Sequence, residues 1–280
     1  MYTRQHDYDL YCDAQTLLQV VNKDLSLKRL CEYAAEDQIR SYLAQRYDFS
    51  KPYGEFTDTS TYDNTITYKG NNRIYLDGST WVTGTYSANS IVLFTDGKVY
   101  LKNSNSSGYT NQDPTNTSYW TALGVQYDLF YITLPSPVWD YTVTYQIGQQ
   151  TWYKDSVFTA TIQSKNTTPD SQFGMNYWGA GVPYSVTPGT LPTDSTKWTN
   201  GDNRNNYLLE IYINIVVMKM MLKIAPKNIP QPRVDTYNNE YIAWLIKAGA
   251  GDVTAELPEL APEQGSAMRW GSVTQSSNIY

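Results

Sequence analysis

The chain has 280 residues, enough for one large domain or two modest ones, and it is 41% hydrophobic but only 17% charged. A net charge of −6 opposes nucleic acid as the main partner, because such affinity rests on neutralising phosphates. One His and two Cys exclude a four-ligand zinc site, a disulfide framework and most His-based triads.

The N-terminus has no basic stretch ahead of an apolar run, so no secretory signal is expected. Residues 1–53 read as the first part of a helical domain. Asp13 caps a short helix with Leu17, Leu18 and Val21, and Asn22-Lys23-Asp24 forms a turn. A second helix, from about Ser26, carries Leu27, Leu30, Cys31, Ala34, Ala35, Ile39, Tyr42 and Leu43 at helical spacing. Residues 54–202 differ in kind. They hold 6 of the 8 Trp, alternating runs such as Tyr141-Thr142-Val143-Thr144-Tyr145, and turns at Asp77-Gly78, Asp96-Gly97 and Lys154-Asp155. Two repeats are expected in this β insertion, about 84–124 and 143–200, ending in Pro114-x5-Trp120 and Pro192-x5-Trp198.

Residues 203–251 return to helix. Asp202 or Asn203 is the expected cap of a helix over Leu208–Leu222, apolar nearly all round and therefore central. Tyr207–Ile224 carries Glu210, Asn214, Lys219 and Lys223, too polar for a membrane span. A last helix from about Arg233 stops at Gly249 and Gly251. Residues 252–280 read as an extended tail in which Arg269 and Trp270 are candidate docking residues. The fold class is therefore α+β: a discontinuous helical domain, an inserted duplicated aromatic-rich all-β region, and a tail. Because the halves flank the insertion, excision of 54–202 and removal of 252–280 should each leave the helical domain folded.

Chemistry is sparse. Asp96, Asp113, Asp128, Asp140, Asp155, Asp170 and Asp194 sit beside Gly, Asn, Pro or Ser and read as turn residues rather than glycosidase acids. No phosphate loop, HExxH or GxSxG motif is present, so no catalytic or metal residue and no cofactor is assigned. Cys12 and Cys31 read as reduced, buried thiols, and Met218, Met220 and Met221 as core filling. Trp and Tyr either build the core of a small β module or offer faces to sugars and proteins. Trp152, Tyr153, Trp178, Tyr184, Trp120 and Trp198 are candidate contact aromatics, of which Trp120 and Trp198 lean to the core.

Ala34-Ala35-Glu36-Asp37-Gln38-Ile39-Arg40-Ser41-Tyr42-Leu43-Ala44-Gln45-Arg46-Tyr47 resembles the opening of the helical head-to-tail connectors of tailed phages, the Mu-type family in particular. Tyr42, Leu43, Arg46 and Tyr47 carry the likeness. The ending Arg269-Trp270-Gly271-Ser272 with Asn278 resembles the tails of neck proteins of crAss-like phages. The insertion more loosely resembles chitin-binding-type carbohydrate-binding modules. The resemblance implies a non-enzymatic virion protein of the neck, assembled in the host cytoplasm. Its partners would be copies of itself in a ring, commonly twelve, the portal, and adjacent neck or tail proteins. No specific nucleic acid or membrane partner is implied. The alternative is a glycan-binding virion accessory protein that uses the aromatic modules.

Overall fold

The computed structural model describes residues 2–47, 59–70, 72–104, 110–255, 257 and 259–260, and it combines helices with several small sheets in an α+β fold. Contacts divide it into two compact units. One runs to Pro135 and also takes Lys154–Ser156 and Pro183–Leu260; the other is Ser136–Tyr153 with Val157–Val182.

The helical part belongs to the first unit. Helix α1 is Gln5–Tyr11, and α2, Ala14–Thr16, runs into a π-helical turn at Leu17–Val21. Asp13 caps α2 as expected, its carboxylate accepting from Thr16 N at 2.9 Å. Helix α3 spans Leu25–Leu43, with Asp24 as its cap through Leu27 N at 2.9 Å. Helix α4 spans Asn206–Ile224, and Asn205 caps it through Leu208 N at 2.8 Å. Asp202 and Asn203, the expected caps, are used elsewhere. α4 is the central helix: Leu208, Leu209, Ile211, Tyr212, Ile213, Ile215, Val216, Val217, Met218 and Met220 are all buried. Helices α5 (Gln231–Thr236) and α6 (Ala243–Ala250) join through a π-helical stretch and stop at Gly251, whose φ of 94° suits glycine.

The expected tail boundary at 252 needs correction. Ala255 and Leu257 are buried in the helical core, and Asn205 Nδ2 donates to Ala255 O at 3.1 Å. Removing everything from Asp252 would therefore open that core. Arg269 and Trp270 lie outside the described residues.

The helical part is also bound tightly to the β residues of its unit. Arg204, 5% exposed, donates both terminal nitrogens to Asp7 at 2.8 and 3.0 Å, and one of them also to Tyr2 O at 3.0 Å. Asp7 also accepts from Arg4 Nε at 3.0 Å, and Arg4 reaches Tyr127 O at 2.6 Å. His6 stacks on Tyr127 at 4.3 Å, and Arg73 lies over the Tyr2 ring at 6.0 Å. Excising 54–202 would remove Tyr127 from Arg4 and His6, Arg73 from Tyr2 and Asp202 from Arg204, so against the expectation of a freely removable insertion it should destabilise the helical part.

The β residues form three copies of one small module. In each, a short segment runs parallel to a hairpin strand, with Thr61 beside Tyr75, Thr80 beside Leu93 and Val138 beside Trp152. The next residue is aromatic, and its N–H donates across that pair: Tyr62 to Tyr75, Trp81 to Leu93, Trp139 to Trp152. A Tyr follows, Tyr68, Tyr86 or Tyr145, whose hydroxyl accepts from the backbone N–H of Asp63, Val82 or Asp140 at 2.6, 2.9 and 2.8 Å. Its ring meets a closing Trp edge-on: Tyr68–Trp198 at 5.3 Å, Tyr86–Trp120 at 5.4 Å, Tyr145–Trp178 at 5.1 Å. Each such pair adds about 1 kcal/mol beyond the area it buries. The Trp lies opposite Ile132, Lys102 or Ala160 on the second hairpin strand.

The copies are nested. The first begins at Thr59, is interrupted by the second (Ser79–Val125), resumes at Leu129–Ile132, and closes at Trp198–Asn200 after the third. Trp198, expected to end the second repeat, closes the first module instead. The third module is closed by Trp178, which lies inside the second expected repeat rather than at its end.

Two consequences are measurable. Arg204→Met leaves the Asp7 carboxylate buried and short of its main partner, so it should cost about 3–5 kcal/mol in urea unfolding; a loss below about 1 kcal/mol would contradict the hub. Burial works to raise the Asp7 pKa, but the hydrogen bonds and charges of Arg204 and Arg4 outweigh it and hold the carboxyl below its usual 3.8. Its contribution is thus complete above that value and lost only as pH falls through the lower folded value. Lys102→Ile, which writes the first module's residue into the second, should raise stability by about 1 kcal/mol by removing a desolvated ammonium; destabilisation would show that its position over Trp120, at 4.8 Å, outweighs that cost.

Candidate functional site

The carboxylates are spent on turns. In Asp63-x-Thr65, Asp113-x-Thr115, Asp140-x-Thr142 and Asp194-x-Thr196, one carboxylate oxygen accepts both the Thr N–H and the Thr hydroxyl at 2.6–3.0 Å. These bonds hold Asp63 and Asp194 below the ordinary carboxylate range. Asp96 takes Lys98 N at 3.0 Å and the Tyr100 hydroxyl at 2.8 Å, and Asp128 takes Val125 N at 2.9 Å. Among the described residues no three His, Cys, Asp or Glu come together as a metal site. Burial pushes the Cys12 thiol up to about 11 and raises Cys31 as well, so neither is primed as a nucleophile. No described helix is long and apolar enough to cross a membrane.

The candidate contact aromatics turn inward. Trp120, Trp152, Tyr153, Trp178 and Trp198 are all buried, and only Tyr184 among them is half-exposed. Trp120 Nε1 donates to Gln112 O and Trp178 Nε1 to Thr167 O, each at 3.0 Å, which ties each indole to its own module. Trp152 and Tyr153 lie at a hairpin strand beside Trp139. No ring of this buried group presents a free face to a sugar.

The helical phrase has a defined task. Leu43 and Tyr47 are fully buried, and the Tyr47 hydroxyl accepts from Ala255 N at 3.1 Å. Arg46 Nε and Nη2 both donate to Glu259 Oε1 at 3.1 and 2.8 Å, while Leu260 N donates to Arg46 O at 2.8 Å. Tyr42 contributes its carbonyl, against which Gly249 packs so closely that a Cβ there would collide. These four residues form a clasp on the chain leaving α6.

The helical part also presents apolar side chains outward. Leu18 and Leu222 are exposed, and Leu18, Val20, Met221 and Ile224 line a groove of about 510 Å³. Leu30 and Tyr33 lie exposed on α3, one turn apart and outside that groove. Leu10 and Leu25 are exposed as well. Sequence periodicity had placed Leu30 on the buried face; the α3 contacts instead bury Cys31, Ala35, Ile39 and Leu43.

Two modules also carry the same cleft. In the first, Phe130, Pro192, Ser195, Trp198 and Asn200 line a space of about 280 Å³ with Leu123. In the third, Phe158, Pro169, Met175, Trp178 and Ala180 line about 400 Å³. The strand register makes Phe130 and Phe158, and likewise Asn200 and Ala180, equivalent. In comparisons with known proteins no family model matches the chain, and no curated protein matches it.

Because the aromatic rings are structural, Trp178→Ala should unfold the third module, at a cost of about 3–5 kcal/mol, rather than remove a contact surface. Thermal unfolding with a tryptophan near-ultraviolet readout checks this, and an unchanged transition would return Trp178 to the surface.

Proposed function

We propose that the chain is a structural subunit of a tailed-phage particle, its helical part forming a ring in the neck between portal and tail. The observation that supports this reading most is the pair of separate apolar surfaces on a small helical body: the groove lined by Leu18, Val20, Met221 and Ile224, and the Leu30–Tyr33 stripe of α3. A cyclic ring needs two different complementary faces on each subunit, whereas a twofold dimer needs only one. Exposed apolar patches of this kind fit contact between copies. The connector-like phrase Tyr42-Leu43-x-x-Arg46-Tyr47 adds to this, since its clasp sets where the C-terminal chain leaves the helical body. On this reading the β modules of the first unit are a rigid appendage that meets neighbouring neck or tail proteins. Portal and copies of this chain are the partners, with twelve copies by analogy with connectors.

Quantitative mass spectrometry of purified particles tests it directly. The expected result is one copy of this chain per portal subunit; hundreds of copies, or none, would remove the neck assignment. Leu18→Glu, on an exposed position, should leave the fold intact and lower ring formation at least about tenfold, as expected for a charge placed in an apolar contact. Undiminished ring formation would exclude the groove as a subunit contact.

A further inference from the structure

The two equivalent clefts differ in how they are filled. In the first module Phe130 is only 5% exposed, and Leu123 from the second module's last strand packs in one hydrophobic cluster with Phe130, Ile132 and Trp198. Asp128, Thr193, Ser195 and Asn200 add polar groups to that cleft beside Pro192 and Trp198. In the third module the same positions turn apolar: Met175 stands where the first has Ser195, and Ala180 where it has Asn200. The cleft is lined by residues of the third module. Phe158 stays half-exposed, Met175 is 73% exposed, and Phe173 and Val182 beside it are 70% and 65% exposed. A 44-residue unit showing that much apolar side chain is built to be covered.

We propose that the third module's cleft is the docking site of this chain's own Met268-Arg269-Trp270. Twenty residues follow Leu260, and Arg269 is their only Lys or Arg, next to their only Trp. The cleft matches that pair: Phe158, Met175 and Trp178 form an apolar slot for an indole, and Asp170 puts a carboxylate at its edge for a guanidinium. The ten residues from Leu260 to Trp270 can reach up to roughly 35 Å when extended. Docking then plays the part for the third module that Leu123 plays for the first. This inference does not depend on the ring, and its test uses the free chain.

Arg269 is the only tryptic site after Lys247, so release of the peptide 270–280 from the full-length chain reports directly on docking. Met175→Asp, at an exposed position, should speed that release at least about tenfold, and Asp170→Lys several-fold, because cleavage follows the population of the undocked state. Cleavage at Lys247 serves as the control that the helical part remains folded. Equal release from the unaltered chain and Met175→Asp would overturn the proposal. So would acceleration by Met175→Asp that Asp170→Lys does not share, since the charge pairing would then be absent.

Discussion

The first unit is organised around one buried carboxylate. Asp7 sits at the start of α1 and receives Arg204 from the segment before α4 and Arg4 from its own N-cap. A bare carboxylate at 1% exposure would be costly, and a bare guanidinium in the same place equally so. Each makes the other tolerable, and the geometry leaves little freedom: two parallel bonds fix the plane of the Arg204 fork. Asp202 takes the remaining face of Arg204 at 2.7 Å, and Tyr2 lies against it with its carbonyl and ring. Chain segments almost two hundred residues apart are thus brought to one point. The residues on either side of the β modules are held as a pair, which explains why the nested insertions leave the helical core closed.

The modules solve a different problem. A unit of about 45 residues has too little interior for aliphatic packing alone, and no disulfide is available. Each copy therefore uses large rings, a Tyr hydroxyl that caps a turn backbone, and a Trp set edge-on against that Tyr. Nesting adds core where a single copy lacks it. Val99, Leu101 and Leu123 of the second module join Ile74, Phe130, Ile132 and Trp198 of the first in one cluster. The outward side of one hairpin becomes the lid of the next.

Much of the helical organisation was legible because the 3.6-residue period and capping residues act locally. Asp13 capped its helix as read, and the all-round apolar pattern of α4 marked it as central. The misplaced cap at Asp202 arose because that side chain is taken by Arg204, a partner no local rule reveals. Leu30 was misassigned because spacing alone does not say which of two apolar stripes meets the neighbouring helix. The β part was harder. A repeat was visible, but its number and ends were not, since nesting separates Tyr68 from Trp198 by 130 residues while placing their rings 5.3 Å apart. One signal was available: Asp63-x-Thr65-x-x-Tyr68 and Asp140-x-Thr142-x-x-Tyr145 share a spacing that the turn and the Tyr hydroxyl require. The surface role of Trp152 and Trp178 was misjudged for the same reason, because a ring's burial depends on which module it closes.

Three copies of one frame also allow function to be sought where they differ, since shared positions are already explained by folding. Opposite the closing Trp stand Ile132, Lys102 and Ala160, so at that position the second module alone of the three holds a cation. Beside the closing Trp, Ser195 and Asn200 of the first module give way to Met175 and Ala180 in the third. The Phe130 face of the first module is packed within the chain by Leu123 of the second. In the third module Phe158 stays half-exposed, and apolar side chains stand in place of polar ones at the same two positions. A solvated surface would favour the reverse exchange, because exposed Met and Phe gain nothing from water that Ser and Asn do not gain more. The direction of the difference therefore marks the third module's cleft as a surface shaped by something that covers it.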